Sequence, residues 1–366
     1  MIAIPTPTEV LLVGSIPLGN AEEVFRAVTA VVGDRLRRIP DGETGDRRHW
    51  VAWQQPVFAH HPDLEPTPTE SAVALLSGPQ MPTIIQFRVR DDVDPGCVQF
   101  GQLGYADAAI ASYTVFAQLK AGGVIPAGTR FQVSLPTPIH PLLLFITASE
   151  QSILLASYEA ALLRELDQIL AAIPGDQLAI QWDAPREVRA WAGIIGERAF
   201  SGHARRILNH LVYLGERVPQ SVELGYHLCY GDYEHLSPAV RTRSDMRPPT
   251  NARGVTTLAS SLCAEIHRRV DFIHIPVPRD SGAAYLAPLA DLHLPPTTEL
   301  YLGLIHLTDG FAGTQRRIKA ARRVVAKFGV ATECGWGRRP PDTIPELLRL
   351  HKTVSSLFIP TSGQRA

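Results

Sequence analysis

Ser221-Val-Glu-Leu-Gly-Tyr-His-Leu-Cys229 is an apolar, strand-like run that ends in a histidine and a cysteine. A second run, Phe328-Gly-Val-Ala-Thr-Glu-Cys334, ends in a cysteine followed by glycine. Alternate residues of a strand point to the same side, so His227 and Cys229 share a face. An imidazole and two thiolates gathered at strand ends would supply three ligands of a zinc site, with a fourth position free for substrate.

The same residues have a plainer interpretation as packing groups. Cysteine is among the residues most often buried, and a histidine in a strand is often a hydrogen-bonded core group. On these two runs alone, a metal site and a packed core both stay open.

Composition limits the classes of protein that fit. The chain has 366 residues, 45% of them hydrophobic and 19% charged, enough for one large α/β domain or two smaller ones. The net charge of −1 points to neither nucleic acid nor an anionic membrane. The beginning of the chain lacks the features of a signal peptide, and the apolar stretches are too short to span a bilayer. Four scattered cysteines fit a reducing cytoplasm better than a disulfide scaffold.

Strand-like runs alternate with helix-period segments along most of the chain, which predicts a parallel sheet. Nine candidate strands begin near Val10, Leu36, Thr83, Arg130, Gln177, Ser221, Asp271, Glu299 and Val330. Nine is one too many for an eight-stranded barrel, so either one strand is an excursion or the sheet is open. An open, doubly wound sheet is the alternative, but no Gly-x-Gly-x-x-Gly follows the first strand.

Polar residues gather where the predicted strands end, namely Ser15, Glu43, Asp183, Cys229, His306 and Cys334. In a β/α barrel all these ends lie on one face, where active sites are built. Trp182 and Trp336 also lie near strand ends and could stack on a flat ligand, although core packing explains them equally well. Arg338 and Arg339 near the same face could meet an anionic substrate, or could be solvated.

Three of these motifs resemble the C-terminal catalytic barrel of cobalamin-independent methionine synthase, in the methionine synthase/uroporphyrinogen decarboxylase-like superfamily. Val13-Gly14-Ser15-Ile16-Pro17 resembles the family's Ile-Gly-Ser-Phe-Pro, Asp41-Gly42-Glu43 its His-Gly-Glu, and Ile180-Gln181-Trp182-Asp183 its Ile-Gln-Ile-Asp. The resemblance implies that Ser15 helps to hold the carboxylate of an amino-acid substrate. It also implies that Glu43 and Asp183 bind the amino group.

The remaining motifs of the resemblance concern the metal and the proton donor. Tyr226-His227-Leu228-Cys229-Tyr230 resembles the family's His-Met-Cys-Tyr, which supplies two zinc ligands, and Cys334-Gly335 resembles the Cys-Gly that supplies another. His306 falls near the family's proposed proton donor. The resemblance runs from about residue 10 to about residue 340.

The fold that the resemblance implies is a (β/α)8 TIM barrel with an extra β element between its second and third strands. The run Thr83–Val89 would belong to that element, which removes the surplus strand. Residues 1–366 would then form a single barrel domain with a core over about residues 10–358.

One departure from the family pattern falls on the metal site. The family's fourth zinc ligand is a glutamate, whereas this chain reads Ile273-His274-Ile275-Pro276, so Pro276 takes the place of that acid. His274 points the same way but deeper, and is either a fourth ligand or a core histidine. Asp232 and His235 on the following loop are further candidate ligands.

The resemblance implies a zinc-dependent methyl or alkyl transfer in which a zinc-bound thiolate is the nucleophile. A homocysteine-like thiol would be the acceptor, and Asp183 and His306 would be the catalytic residues. The family's N-terminal half, which helps to bind a polyglutamylated folate, has no counterpart in these residues. We therefore expect a donor that is folate or another methyl compound, with a separate donor protein as one possibility. Two alternatives are a metal-free uroporphyrinogen-decarboxylase-like lyase and a non-catalytic relative that binds a small ligand.

Overall fold

The structure, a computed structural model, describes residues 10–68, 84–194, 204–231 and 247–356. Asp232, His235 and the beginning of the predicted strand at Thr83 lie outside the described residues. Seven parallel strands form the central sheet in the order β1-β4-β5-β6-β7-β8-β9. They are β1 (Arg38–Pro40), β4 (Arg130–Pro136), β5 (Leu178–Asp183), β6 (Glu223–His227), β7 (Phe272–Pro276), β8 (Glu299–Ile305) and β9 (Gly329–Thr332).

Residues 10–13 close this sheet into a barrel. The backbone N–H of Leu11 donates to the carbonyl of Val330 in β9 at 3.0 Å. On the other side, the backbone N–H groups of Val10 and Ile16 donate to the carbonyls of Arg35 and Gly42, which flank β1, at 3.3 and 2.7 Å. The predicted first strand therefore takes the place of the eighth strand of the barrel. Its regular strand pairing is limited to one parallel bridge between Val10 and Val330. The predicted TIM-barrel fold is confirmed, and the open sheet is wrong.

The surplus strand belongs to a separate two-stranded sheet. Strand β2 (Leu64–Pro66) pairs antiparallel with β3 (Phe87–Val89). This sheet follows β1 and precedes β4 in the chain, which confirms the predicted extra β element between the second and third barrel strands.

Helices alternate with the barrel strands. They are α1 (Ala21–Val32), α2 (Gln55–Ala59), α3 (Tyr105–Ala121), α4 (Ile139–Phe145), α5 (Gln151–Ala172), α6 (Pro185–Trp191), α7 (Ala204–Glu216), α8 (Arg253–Glu265), α9 (Ala283–Leu286), α10 (Gly310–Ala321) and α11 (Ile344–Ser355). Helix α1 shows why the sequence places them: the Asn20 side chain accepts from the N–H of Glu23 at 2.9 Å and caps the first turn. No helix of the described residues is long and apolar enough to cross a membrane.

The amino-terminal end of the barrel is filled by a buried ion-pair network. The Arg38 guanidinium lies 2.9 Å from Glu223 and 3.1 Å from Glu299, and its Cζ lies 4.1 Å from the centre of the Phe272 ring. Above it, a small apolar cluster occupies the barrel interior, comprising Leu11, Val13, Ala179, Phe272, Tyr301 and Ala331. Since this end is filled, a cavity for ligands has to lie at the carboxyl ends of the strands.

Candidate metal and substrate site

The strand register brings the polar strand ends side by side. Asp183 at the end of β5 is aligned with His227 at the end of β6, and His227 is aligned with His274 in β7. All three side chains are buried. Because these strands are parallel and neighbouring, the spacing read from the sequence becomes a compact polar group in the structure.

His227, Cys229 and Cys334 form a compact set of potential metal ligands. The two sulfur atoms lie 3.6 Å apart, and the ligand atoms of all three residues lie within 4.8 Å of one another. The backbone N–H of Gly231 donates to the Cys229 sulfur at 3.0 Å. One imidazole and two thiols make a donor set that suits zinc, with three protein ligands as in open catalytic sites.

The orientation of His227 also fits a metal. Its Nδ1 lies 2.7 Å from Nδ1 of His274, whose Nε2 lies 2.9 Å from the carbonyl oxygen of Thr332. The Nε2 of His227 is buried and has no hydrogen-bond partner among the described residues. A buried nitrogen without a partner is costly, and a metal ion beside the two sulfurs would satisfy it.

His274 lies behind His227 rather than beside the sulfurs. It is 0% exposed, and both of its ring nitrogens already have hydrogen-bond partners. Burial lowers the pKa of His274, as does the neighbouring His227. The predicted ligand role of His274 does not match these contacts, because neither ring nitrogen is left over for a metal.

The electrostatics of the cluster favour a deprotonated cysteine. Burial on its own raises the pKa of the Cys229 thiol, but the hydrogen bond with Cys334, the adjacent His227 and the Gly231 N–H outweigh burial and lower it. For His227, burial lowers the pKa, and the proximity of Cys229 more than offsets this, so the net shift is upward. The thiolate is the form in which cysteine binds metals.

Two carboxyl groups lie on the wall of the same cavity. The Asp183 carboxylate accepts from the Gln181 amide at 2.8 Å and from the Trp50 indole N–H at 3.2 Å. Burial raises the pKa of Asp183 to about 6. Burial, followed by the charge of Asp183, raises the pKa of Glu43 to about 8. Two acids whose ionised forms are disfavoured by burial and, for Glu43, by the charge of its neighbour make a good receptor for a cationic group.

A strained turn aims Glu43 into the cavity. Glu43 has a φ of 46°, and Gly42 before it has a φ of 81°. A Cβ on Gly42 would lie 2.7 Å from a methyl group of Val24, so this position requires glycine. Asp41 holds the turn, because its Oδ1 accepts from the N–H of Glu43 at 2.8 Å and its Oδ2 from the Ser112 hydroxyl at 2.8 Å. Such strain at a cavity wall is typical of functional sites.

Ser15 lies against the loop that carries Cys334. Its hydroxyl oxygen accepts from the N–H of Gly337 at 3.2 Å, and its carbonyl accepts from the N–H of Trp336 at 2.6 Å. A Cβ on Gly335 would lie 2.5 Å from the Ser15 hydroxyl. The glycine after Cys334 therefore lets this loop approach residues 10–15 closely.

A cavity of about 510 Å³, counting space open to solvent, joins these groups. Six of the predicted site residues line it together: Ser15, Glu43, Asp183, His227, Cys229 and Cys334. Arg48, Trp50 and Arg338 also line it. The structure thus gathers a metal-type donor set, a pair of acids and two arginines around one space.

His306 is not among the residues that line this cavity. It is fully buried, with Nε2 2.8 Å from the carbonyl oxygen of Val277 and Nδ1 3.5 Å from the Glu333 carboxylate. Glu333 in turn accepts from Arg339 at 2.8 Å. The predicted proton donor is therefore placed inside the wall of the barrel.

The aromatic residue at the cavity is Trp50, and sequence reasoning missed it. Trp50 lies in a 3-10 segment, Gly45–Gln54, that breaks where Trp50 adopts a φ of 57°. Its ring centre lies 4.1 Å from that of His140. The predicted stacking residues Trp182 and Trp336 are instead buried in the core. Periodicity carries no signal of a single residue with positive φ, so the sequence offered no means of finding Trp50.

Comparison with known proteins supports the fold. No family model matches the chain, and a search of curated proteins finds no match. A solved structure, a B12-independent methionine synthase from Shewanella sp. W3-18-1 in complex with selenomethionine, matches with a TM-score of 0.55 at 13% identity, covering 96% of this chain and 97% of that one. A methyltransferase from Methanosarcina mazei matches with a TM-score of 0.46 at 10% identity, covering 96% and 94%. The first likeness confirms the fold that the resemblance implies.

Proposed function

We propose that this chain is a zinc-dependent methyl- or alkyltransferase that acts on a thiol. The observation that carries the proposal is the cluster of His227, Cys229 and Cys334, with a buried, unpartnered imidazole nitrogen, in the cavity that Glu43 and Asp183 also line. The methionine synthase whose fold the chain resembles is consistent with this class of reaction.

The metal site would be built by His227, Cys229 and Cys334. When bound there, zinc would lower the pKa of a substrate thiol, so that the thiol reacts as a thiolate at neutral pH. Three protein ligands leave the fourth coordination position free for the substrate thiol. A Cys229 thiolate would hold negative charge in a buried place, which strengthens the binding of a cation.

The acceptor is a thiol that carries an ammonium group, such as homocysteine. Glu43 and Asp183 would bind the ammonium, because burial raises the pKa of both carboxyls and a nearby cation would favour their ionised forms and offset the effect of Asp183 on Glu43. Ser15, at the junction with the Cys334 loop, would orient the carboxylate. Holding the acceptor at both ends fixes its sulfur relative to the metal ligands, which lowers the entropic cost of the transfer.

His306 would take no direct part in the chemistry of the cavity, because its two ring nitrogens face Val277 and Glu333. The metal-free lyase is the weaker alternative. Arg48 and Arg338 on the cavity wall would suit its anionic substrate, but it has no use for the cluster of an imidazole and two thiols.

The test is the zinc content of protein purified without added metal, measured by plasma mass spectrometry. We expect about one zinc per chain in the wild type and loss of zinc in both Cys229→Ser and Cys334→Ser. Cys263→Ser, which removes a thiol that is not part of the cluster, is the matched control and should keep its zinc. Little zinc in the wild type, not restored by reconstitution, would contradict the proposal.

A further inference from the structure

His274 connects the two strands that carry the proposed metal ligands. It is aligned with His227, and its side chain reaches the backbone of Thr332, two residues before Cys334. Strand β8 separates β7 from β9 in the sheet, so this contact crosses the interior of the barrel. The hydrogen-bond series His227–His274–Thr332 therefore links β6, β7 and β9 behind the cluster.

The donors and acceptors in this hydrogen-bond series determine which imidazole nitrogens of His227 and His274 carry protons. A backbone carbonyl can only accept, so Nε2 of His274 must donate to Thr332. In a neutral imidazole the other nitrogen is then an acceptor, so Nδ1 of His274 accepts from Nδ1 of His227. When His227 is neutral, as a histidine that binds a metal has to be, its remaining nitrogen, Nε2, has a lone pair, and Nε2 is the buried atom without a partner.

We propose that His274 is a positioning residue, which fixes the tautomer and ring orientation of His227 so that Nε2 is available to a metal, and is not itself a ligand. This inference rests on the proposed function. Histidines that bind metals generally donate their second N–H to a group behind them, usually a carboxylate or a carbonyl. Here a second histidine fills that place and passes the contact on to the Thr332 carbonyl.

A supporting role for His274 is compatible with the lack of an acid on β7. Pro276 stands where the resemblance led us to expect a ligating glutamate, and a proline side chain offers no ligand atom. If His274 supports His227 from behind, the described residues supply three ligands to the metal, namely His227, Cys229 and Cys334. The fourth position then stays open for the acceptor thiol.

The first experiment compares zinc affinity by chelator competition in His274→Leu and His274→Gln. Leucine removes both hydrogen bonds, and we expect the affinity to fall about 10- to 100-fold, the usual effect of losing such a supporting group. Glutamine can accept and donate, so we expect it to restore much of that loss. His351→Leu is the control, because His351 is also fully buried with Nδ1 bound to a backbone carbonyl but is absent from the cluster.

The visible spectrum of the cobalt-substituted protein separates a positioning role from a ligand role. We expect saturated His274→Leu to keep the four-coordinate spectrum of the wild type, with its thiolate charge-transfer bands. A changed coordination number, with equal losses of affinity in the leucine and glutamine variants, would identify His274 as a ligand. Unchanged affinity in His274→Leu would overturn the inference as well.

Nitrogen NMR of the metal-free protein tests the inference without any metal. We expect His227 in the wild type to carry its proton on Nδ1, and His274→Leu to shift that tautomer population. A wild-type His227 protonated on Nε2 alone would refute the positioning role. If the wild type takes up no zinc and yet shows the expected tautomer, the proposed function fails while the link between His227 and His274 stands.

Discussion

At the scale of single residues, the acids of the cavity oppose the stability of the fold. Glu43 has a strained backbone, lies close to Asp183, and has a pKa raised to about 8 by burial and by that neighbour. A residue that costs stability and yet has a precisely built turn around it indicates selection for binding. The same reasoning makes Glu43 the most informative residue to neutralise.

Glu43→Gln should stabilise the protein increasingly as the pH rises. The ordinary pKa of this carboxyl is 4.5, and the folded-state pKa is about 8. Between these values the unfolded chain has lost a proton that the folded protein still holds, so wild-type stability falls with rising pH. The glutamine variant does not lose stability in this way. The difference between its Tm and that of the wild type should therefore grow from pH 5 to pH 8 and then level off.

Calorimetry of both proteins across this pH range measures the effect. Glu346→Gln, on an exposed part of α11, controls for the loss of one negative charge. A difference in Tm between wild type and Glu43→Gln that stays constant with pH would show that Glu43 is ionised in the folded protein throughout the range.

At the scale of elements, the loop after β9 depends on close contact with residues 10–15. Gly335→Ala would place a methyl group 2.5 Å from the Ser15 hydroxyl, so the loop or Ser15 has to shift. We expect a loss of about 1–3 kcal/mol in the free energy of unfolding. Because Cys334 precedes this glycine, we also expect weaker zinc binding in a chelator competition.

Gly282→Ala is the matched control for this substitution. A Cβ at Gly282 meets nothing within 4 Å, so it tests the general effect of an added methyl group on a loop. If Gly335→Ala and Gly282→Ala have the same stability and zinc affinity, the close approach of the Cys334 loop to Ser15 is not needed.

Sequence patterns found the elements and much of the site, for identifiable reasons. The start of helix α1 can be read from the sequence because Asn20 is a good capping residue. Strand ends of a parallel barrel converge, so Glu43, Asp183 and the cluster could be predicted from single motifs. The contacts of His274 and His306 could not, because they depend on carbonyls of Thr332 and Val277 in other segments. Trp50 was missed because its backbone angle leaves no periodic trace.

At the scale of the whole molecule, the barrel separates stability from chemistry. The Arg38 network fills the amino-terminal end, while the cluster and the acids occupy the carboxyl-terminal end. Substitutions in the Arg38 network should therefore leave metal binding at the carboxyl-terminal end largely unaffected, since the apolar cluster of the barrel interior lies between the two ends.

Arg38→Met tests this separation. It leaves the carboxylates of Glu223 and Glu299 short of their buried partner, so we expect a loss on the order of 3–5 kcal/mol in the free energy of unfolding, measured by urea titration. Protein that remains folded should bind zinc with wild-type affinity. Arg37→Met removes a more exposed partner of Glu299 and should cost less than about 1 kcal/mol. If folded Arg38→Met no longer binds zinc, the two ends of the barrel do not separate stability from chemistry.

The central claim is that His227, Cys229 and Cys334 hold zinc with a position open to a thiol. X-ray absorption at the zinc edge, recorded on the loaded protein with and without homocysteine, tests it most directly. We predict two sulfur ligands and at least one imidazole before addition, and three sulfur ligands afterwards. A first shell that lacks two sulfurs, or one that homocysteine and other small thiols leave unchanged, would contradict the account.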